Sequence, residues 1–411
     1  MKEENSTEKT VFIQPLGCLM RLQDSNKLME FFHNNGFIIV ESAALAYYKV
    51  IVTCGLNENT ITASLKAIDD CDLSYGKIII TGCLPSMSPS SLVNYDNVIL
   101  IPLSEIETID TVFAKAGFLY SDTHEHNSFA EEKHSQHDEK NANFGNVIKS
   151  FGFAKSRFQQ FKRNLRHFIH LRKPKNELEQ IKTLRISKGC VSKCSYCAIR
   201  MAVGKLKSRP LNDIVADYSI LVSKGHSNIM LLADDTGSWG IDLNSTFPEL
   251  LNALGNCSTK HKVKWHLQDL SPYWALKYEN ELCDFIAKDC FHEILFSVQS
   301  GSNHVLQLMK RHYKTEALSE MIVRIRNINP KMRILSNFIV GFPGETHDDF
   351  LQTLQFIKRH SFDFVCIFKY YESEVSDSVN MFPKVDHNII EERVQIVEEL
   401  LKRYNTLYVI I

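Results

Sequence analysis

Between residues 181 and 404, short apolar runs alternate with longer amphipathic stretches, and this alternation constrains the fold more than anything else in the chain. The runs Thr183–Ile186, Asn228–Leu232, Val263–Leu267, Glu293–Val298, Arg333–Val340 and Phe362–Tyr370 read as buried strands. Between and after them, Leu211–Ser223, Pro248–Leu254, Leu276–Lys288, Thr315–Ile328, Thr346–Lys358 and Ile389–Tyr404 carry apolar residues at helical spacing. Strands joined by helices pair in parallel, because a crossover of that length brings the chain back to the same end of the sheet. The spacing therefore predicts six βα units, a partial (β/α)6 TIM-like barrel, with reacting groups on the loops at the C-terminal ends of the strands.

A second, smaller alternation precedes it. Val11–Ile13, Val50–Val52, Lys77–Ile80 and Val98–Leu100 read as strands, with helices at Gln23–Asn34, Ile61–Ile68 and Ser104–Phe113. This predicts an open parallel α/β sheet, giving an α/β chain of three parts: an N-terminal domain over 1–120, a connecting region over 121–180 and the barrel over 181–411. Ser121–Asn143 is polar, charged and rich in histidine, and reads as a disordered linker. Val147–Lys175 holds only basic charges, with Phe158, Phe161, Leu165, Phe168 and Ile169 at helical spacing. It reads as a basic amphipathic helix suited to packing on the protein, to nucleic-acid phosphates or to an anionic membrane surface.

The cysteines carry the chemistry. Cys190, Cys194 and Cys197 follow the first barrel strand at C-x-x-x-C-x-x-C spacing. Three thiolates on one loop are one short of a closed zinc site and one short of the four that usually hold a [4Fe–4S] cube. A cube with one iron open to a small molecule fits three ligands; a zinc loop completed by a distant histidine is the other reading. Cys18, Cys54 and Cys83 each stand just past a predicted strand in the first domain, so a parallel sheet would bring them to one rim, the edge where open α/β sheets bind ligands. Cys71 fits neither set and reads as structural.

The formal net charge is -1, which excludes a polyanion binder driven by overall charge. Eleven cysteines behind a polar, charged start (MKEENSTEKT) point to reduced thiols and metal or redox chemistry in a cytoplasmic protein rather than a disulfide frame. No apolar run reaches the roughly 20 residues of a membrane span.

The loop with Tyr196 before its last cysteine, "KSRPLNDIVADY", "VQSGSNHVLQLMKRHY" and "NFIVGFPGETHDDF", together with "GCLMRLQDS", "TCGLNENTITAS" and "TGCLP" around Cys18, Cys54 and Cys83, resemble the radical S-adenosylmethionine methylthiotransferases. The resemblance spans about 10–120 and 181–400. It does not extend into the TRAM-like C-terminal β-barrel module that members acting on tRNA or a ribosomal protein usually carry. It implies an enzyme with two [4Fe–4S] clusters, one held by Cys190, Cys194 and Cys197 and binding S-adenosyl-L-methionine, the other held by Cys18, Cys54 and Cys83 and handling sulfur. Asp234 and Asp235 would meet the methionine ammonium, Arg209 its carboxylate, Gln299 and Ser300 the next wall, and Gly341 and Gly344 the adenine. The implied reaction places sulfur and methyl at an unactivated C–H, with tRNA the first substrate class. A peptide or small metabolite in a specialised pathway is the alternative. A one-electron reductant such as a flavodoxin or ferredoxin is the implied partner. Two departures stand out: the family's Asn three residues after the first cysteine is Arg21, and its Ser-Pro-Arg-x-Gly-Thr loop after the sixth strand is replaced by Tyr370–Ser376.

Overall fold

The computed structural model describes residues 9–72, 74–113, 117–125, 181–257 and 262–411. The basic stretch 147–175 and most of the polar linker lie outside the described residues. The chain forms two compact units, and the short segment Ala198–Gly204 belongs to the first.

In the first unit, strands β1 (Thr10–Pro15), β2 (Ile38–Ile39), β3 (Tyr48–Thr53), β4 (Lys77–Gly82) and β5 (Val98–Leu100) form one sheet in the order β2-β1-β3-β4-β5. Every pairing is parallel. Val11, Ile13, Val50, Val52 and Ile79 pack on one face with Phe31 and Phe32 of helix α1 (Leu19–Asn34). Phe12, Ile51, Ile78 and Ile80 pack on the other, with Ala67 and Ile68 of α2 (Glu58–Asp69). Side chains alternate across a strand, so two apolar faces demand apolar residues at every position, which is why these strands read as unbroken runs. Helix α1 starts four residues earlier than its pattern suggested. Cys18 occupies the N-cap with extended backbone and makes no side-chain cap bond, so the start carries no Ser/Thr/Asp/Asn signal. The helix expected over 104–113 is a 3-10 turn, Leu103–Thr108, followed by α4 (Ile109–Val112), with a non-helical Glu105. A short helix, α3 (Leu84–Met87), follows β4. Thr123–Glu125, expected to be disordered, are ordered: Glu30 accepts the His124 N–H at 2.9 Å, and Lys27 meets Glu125 at 2.9 Å.

The second unit begins its sheet with β6 (Ile181–Arg185), and the hairpin strands β7 (Ser187–Lys188) and β8 (Lys207–Ser208) flank the cysteine loop. Between them, α5 (Ile199–Val203) is the helix of Ala198–Gly204. The rest runs α6 (Leu211–Ser223), β9 (Asn228–Leu232), α7 (Phe247–Cys257), β10 (Lys264–Leu270), α8 (Pro272–Lys277), α9 (Glu279–Ala287), β11 (Phe291–Gln299), α10 (Asn303–Leu308), α11 (Thr315–Ile328), β12 (Arg333–Val340), α12 (His347–His360), β13 (Phe364–Lys369), α13 (His387–Arg403) and β14 (Leu407–Ile410). The parallel sheet runs β14-β13-β12-β11-β10-β9-β6. All six expected barrel strands are present, and β14 adds a seventh at the edge beside β13. The helix expected over 276–288 is two helices. Pro272 starts the first, and Tyr278 leaves helical geometry between them with its ring stacked on Trp274 at 5.9 Å.

Side-chain parity separates the two faces of this sheet. Ile294, Phe296, Ile334, Phe338, Val365 and Ile367 face the helices in the main core. The opposite parity, Leu295, Leu335, Phe364 and Cys366, forms a separate inner cluster. At the start of the strands, the buried His266 ring lies 3.0 Å from Glu293, whose other oxygen meets Arg333 at 2.7 Å. Burial opposes ionisation of Glu293, yet His266 and Arg333 hold its carboxyl at about 2. His292 completes a group of three metal-type ligands there. With both Glu293 oxygens taken, the group reads as a satisfied polar floor.

Candidate functional site

In the first unit, adjacency of β1, β3 and β4 brings three cysteines to the C-terminal edge of the sheet. Cys18 follows β1 through Gly17, Cys54 follows Thr53 directly, and Cys83 follows Gly82. Thr53 pairs with Gly82 in the ladder, so Cys54 and Cys83 leave neighbouring strands at the same level. Ser64 of α2 clamps Cys54 from both sides: its hydroxyl accepts from the Cys54 N–H at 3.0 Å and donates to the Cys54 carbonyl at 2.9 Å. The Cys83 N–H donates to the Thr53 carbonyl at 3.0 Å. Gly17 has a φ of +93°, and a Cβ there would lie 2.9 Å from the Cys54 Cβ and 3.2 Å from its sulfur, so only glycine lets the first cysteine turn in beside the second. Burial, then the Cys18 thiol, push the Cys54 thiol above its ordinary range, and Arg21 pulls the other way. Nη1 of Arg21 lies 3.2 Å from the Cys83 sulfur, and its Nε is 3.1 Å from Asp24.

In the second unit the loop after β6 is fixed at several points. Asp234, at the end of β9, accepts the Gly189 N–H at 2.7 Å. Ser195 donates its N–H to the Met309 carbonyl at 3.1 Å and its hydroxyl to the Leu308 carbonyl at 2.8 Å. The Ser378 N–H, from the loop after β13, donates to the Ser195 carbonyl at 2.8 Å. The loop between β13 and α13 thus holds the cysteine loop. Burial, then Asp235, push the Cys190 thiol up to about 12, and Cys197 adds to the rise. Burial, then Cys194, push the Tyr196 phenol up, and its ring meets Phe342 edge-on at 6.5 Å. Thiols raised this way release their protons when a metal binds, since the metal's charge dominates the local field.

Asp235 accepts the Ser271 N–H at 3.2 Å and the Trp274 indole N–H at 2.9 Å, and burial raises its carboxyl to about 6. The other expected contacts divide. Arg209 donates to Asp217 at 2.6 Å and to the Arg185 carbonyl at 2.8 Å, so its guanidinium fastens β6 to α6. Ser300 faces Thr353 at 3.2 Å. Gly341 and Gly344 both have left-handed φ, and an added Cβ would meet Ile390 at 2.4 Å and Leu308 at 2.8 Å, so their close approach is to the protein itself. Gln299 is buried at a φ of +76°, and its Oε1 has no hydrogen-bond partner among the described residues.

Two groups escaped the reading of the sequence. Arg311 donates Nη1 to the Cys194 sulfur at 3.5 Å and Nη2 to the Ser297 carbonyl. Burial works against its charge, but Tyr196 and Cys194 raise its pKa further. Asp269 lies at a bulge of β10 with a φ of +49° and accepts from the Ser297 hydroxyl at 3.5 Å. Burial, then Asp234 and Asp235, push its carboxyl up to about 7, and it raises the Cys366 thiol on β13. Arg311 lies inside the quoted "VQSGSNHVLQLMKRHY" stretch without being singled out, and Asp269 had no local signal, because a bulge is set by pairing.

Both constellations fit iron–sulfur chemistry by donor set: three soft sulfurs each, held by backbone bonds, with a cationic N–H donor at one sulfur of each. The family described as "Radical SAM superfamily" matches residues 184–357, and "Uncharacterized protein family UPF0004" matches 10–101. The tRNA-2-methylthio-N(6)-dimethylallyladenosine synthase of Clostridium botulinum is 28% identical over 97% of this chain and 83% of its own. The ribosomal protein uS12 methylthiotransferase RimO of Stenotrophomonas maltophilia is 27% identical over 92% and 76%. The threonylcarbamoyladenosine tRNA methylthiotransferase MtaB of Thermotoga maritima is 25% identical over 97% and 83%. Among solved structures, the radical S-adenosylmethionine methyltransferase TsrM from Kitasatospora setae shares the fold at a TM-score of 0.61, with 10% identity over 90% of this chain and 77% of its own. With both domain patterns matched in this order and relatives aligned across nearly the whole chain, the protein belongs to the radical S-adenosylmethionine methylthiotransferase family, transferases with two [4Fe–4S] clusters and S-adenosylmethionine.

Proposed function

We propose that this methylthiotransferase modifies tRNA at an unactivated C–H, with Cys190, Cys194 and Cys197 holding the cluster that engages S-adenosylmethionine and Cys18, Cys54 and Cys83 holding the auxiliary one. The observation that carries the reading is the placement of both cysteine sets at C-terminal edges of parallel sheets, one on three adjacent strands and one on the loop after β6. When bound, the clusters and S-adenosylmethionine supply one-electron C–S cleavage, hydrogen abstraction and sulfur. The chain's own part is orientation and exclusion of water. Asp234 keeps Gly189 in place, so the first cysteine of the loop is presented at a fixed angle. Ser195, held from two sides, fixes the last two. Arg311 offers a buried positive charge to Cys194. Asp235, whose carboxyl ionises above about 6, offers a carboxylate near the strand ends suited to an ammonium group.

The tRNA reading draws on relatives whose names include tRNA. A flavodoxin or ferredoxin is the proposed electron source and the cytoplasm the proposed compartment; among the described residues no helix is long and apolar enough to cross a membrane. The test is mass spectrometry of tRNA nucleosides from cells with and without the gene. The expected difference is a nucleoside heavier by about 46 Da, one methylthio group in place of hydrogen. Identical tRNA pools, with a methylthiolated peptide or metabolite instead, would move the substrate to the alternative class.

A further inference from the structure

Arg21 is one of the most deeply buried charged side chains described: only 1% of its surface is accessible, and its partner Asp24 is fully buried. Burying an ion pair rarely stabilises a fold by itself, since desolvation offsets the attraction and an apolar pair of similar volume often does as well. The pair's orientation suggests what it does. Nε turns to Asp24 at 3.1 Å, and Nη1 turns to the Cys83 sulfur at 3.2 Å. The positive end therefore faces the sulfur and the compensating carboxylate lies behind it. The Arg21 Cγ lies 3.5 Å from the Cβ position of Gly17, next to Cys18. The guanidinium thus donates directly to one sulfur of the three-cysteine rim.

We propose that Arg21 is a built-in tuning residue that raises the reduction potential of the auxiliary cluster. The inference rests on Cys18, Cys54 and Cys83 holding that cluster. Adding one electron to a thiolate-ligated cube increases its negative charge. A fixed cation in a low-dielectric site, donating N–H to a ligand sulfur, favours the more negative state. Arginine keeps its charge at every accessible pH, so the effect does not vary with protonation. Asp24 sets its size by partly cancelling the field.

The test is a dithionite titration of the full chain carrying Cys190→Ala, Cys194→Ala and Cys197→Ala, so that the electron paramagnetic resonance signal reports the auxiliary cluster alone. At the parent's midpoint, Arg21→Asn should lower the reduced-to-oxidised ratio at least tenfold, which is 59 mV for a one-electron couple. Asp24→Asn should raise that ratio, because it uncovers the cation. An Arg21→Asn protein that holds its irons and keeps the parent's ratio overturns the proposal. If Arg21→Asn does not load, Asp24→Asn decides: an unchanged or lowered ratio overturns it. If neither loads, the pair serves cluster assembly and the proposal falls. A parent that fails to load sinks the cluster assignment of the three cysteines instead, before Arg21 is tested.

Discussion

Replacing Asp269 with Asn should make the protein more heat-stable, increasingly so as the pH rises. The side chain is half-buried at the β10 bulge, with a long 3.5 Å hydrogen bond from Ser297 and the carboxylates of Asp234 and Asp235 as like-charged neighbours. Burial first, then those charges, raise its carboxyl from 3.8 to about 7. A carboxyl with a raised folded pKa holds its proton more tightly in the folded state. Its stabilising contribution is complete below the unfolded value and is lost as the pH climbs through about 7. From pH 5 up to that folded value the stability falls over about 2 pH units, a ceiling of about 3 kcal/mol at about 1.4 kcal/mol per pH unit. Residual exposure halves this to about 1.5 kcal/mol. At about 2–4 °C per kcal/mol for a unit of this size, the melting-point gap between Asp269→Asn and wild type should widen by roughly 3–6 °C between pH 5 and pH 8.5. Differential scanning fluorimetry of both anaerobically reconstituted proteins across that range measures it. A gap that stays constant or narrows would refute the reasoning that burial and like charge govern this side chain.

Glu345→Ala should cost about 3–5 kcal/mol, because it strands the buried Arg393, and a double variant with Arg393→Met should recover most of it in chemical denaturation; the pair meets at 2.6 Å, and Glu345 also holds the Gly341 N–H at 2.8 Å. Gly17→Ala places a methyl 2.9 Å from the Cys54 Cβ at a left-handed φ, and should halve the iron content after reconstitution while S-adenosylmethionine cleavage persists. Gly237→Ala drives a Cβ to within 2.3 Å of the Trp274 Cβ. It should lower stability by about 1–3 kcal/mol and weaken S-adenosylmethionine binding, read by calorimetry, since Trp274 holds Asp235. Arg311→Gln should reduce 5′-deoxyadenosine formation at least tenfold, because it withdraws the cation from Cys194.

Most strand positions and both cysteine sets were legible because they rest on local pattern. Unbroken apolar runs mark strands covered on two faces, and each cysteine set lies on the loops that follow such strands. Asn228–Leu232 and Arg333–Val340 coincide with their runs to the residue. What escaped was set by contacts distant in the chain. β14 is a strand only because β13 offers it an edge. Tyr278 interrupts its helix as part of a stack with Trp274. Asp269 reaches its acidic neighbours through a register shift between β10 and β11. Arg209 matched a pattern, but its guanidinium is engaged by Asp217, a contact that exists only once α6 has folded against β6. The Arg21 substitution was visible as a departure, and its meaning emerged only when the sheet edge put Cys83 against it.

The proposed assignment is two separable clusters, each held by its own cysteine set. The direct measurement is iron content and product analysis of the anaerobically reconstituted chain beside its Cys18→Ala, Cys54→Ala, Cys83→Ala triple variant. The wild type should hold about eight irons and the variant about four, since each cube carries four. The variant should still cleave S-adenosylmethionine to 5′-deoxyadenosine but form no methylthiolated product. A variant that keeps about eight irons, or that still makes the methylthiolated product, would contradict it.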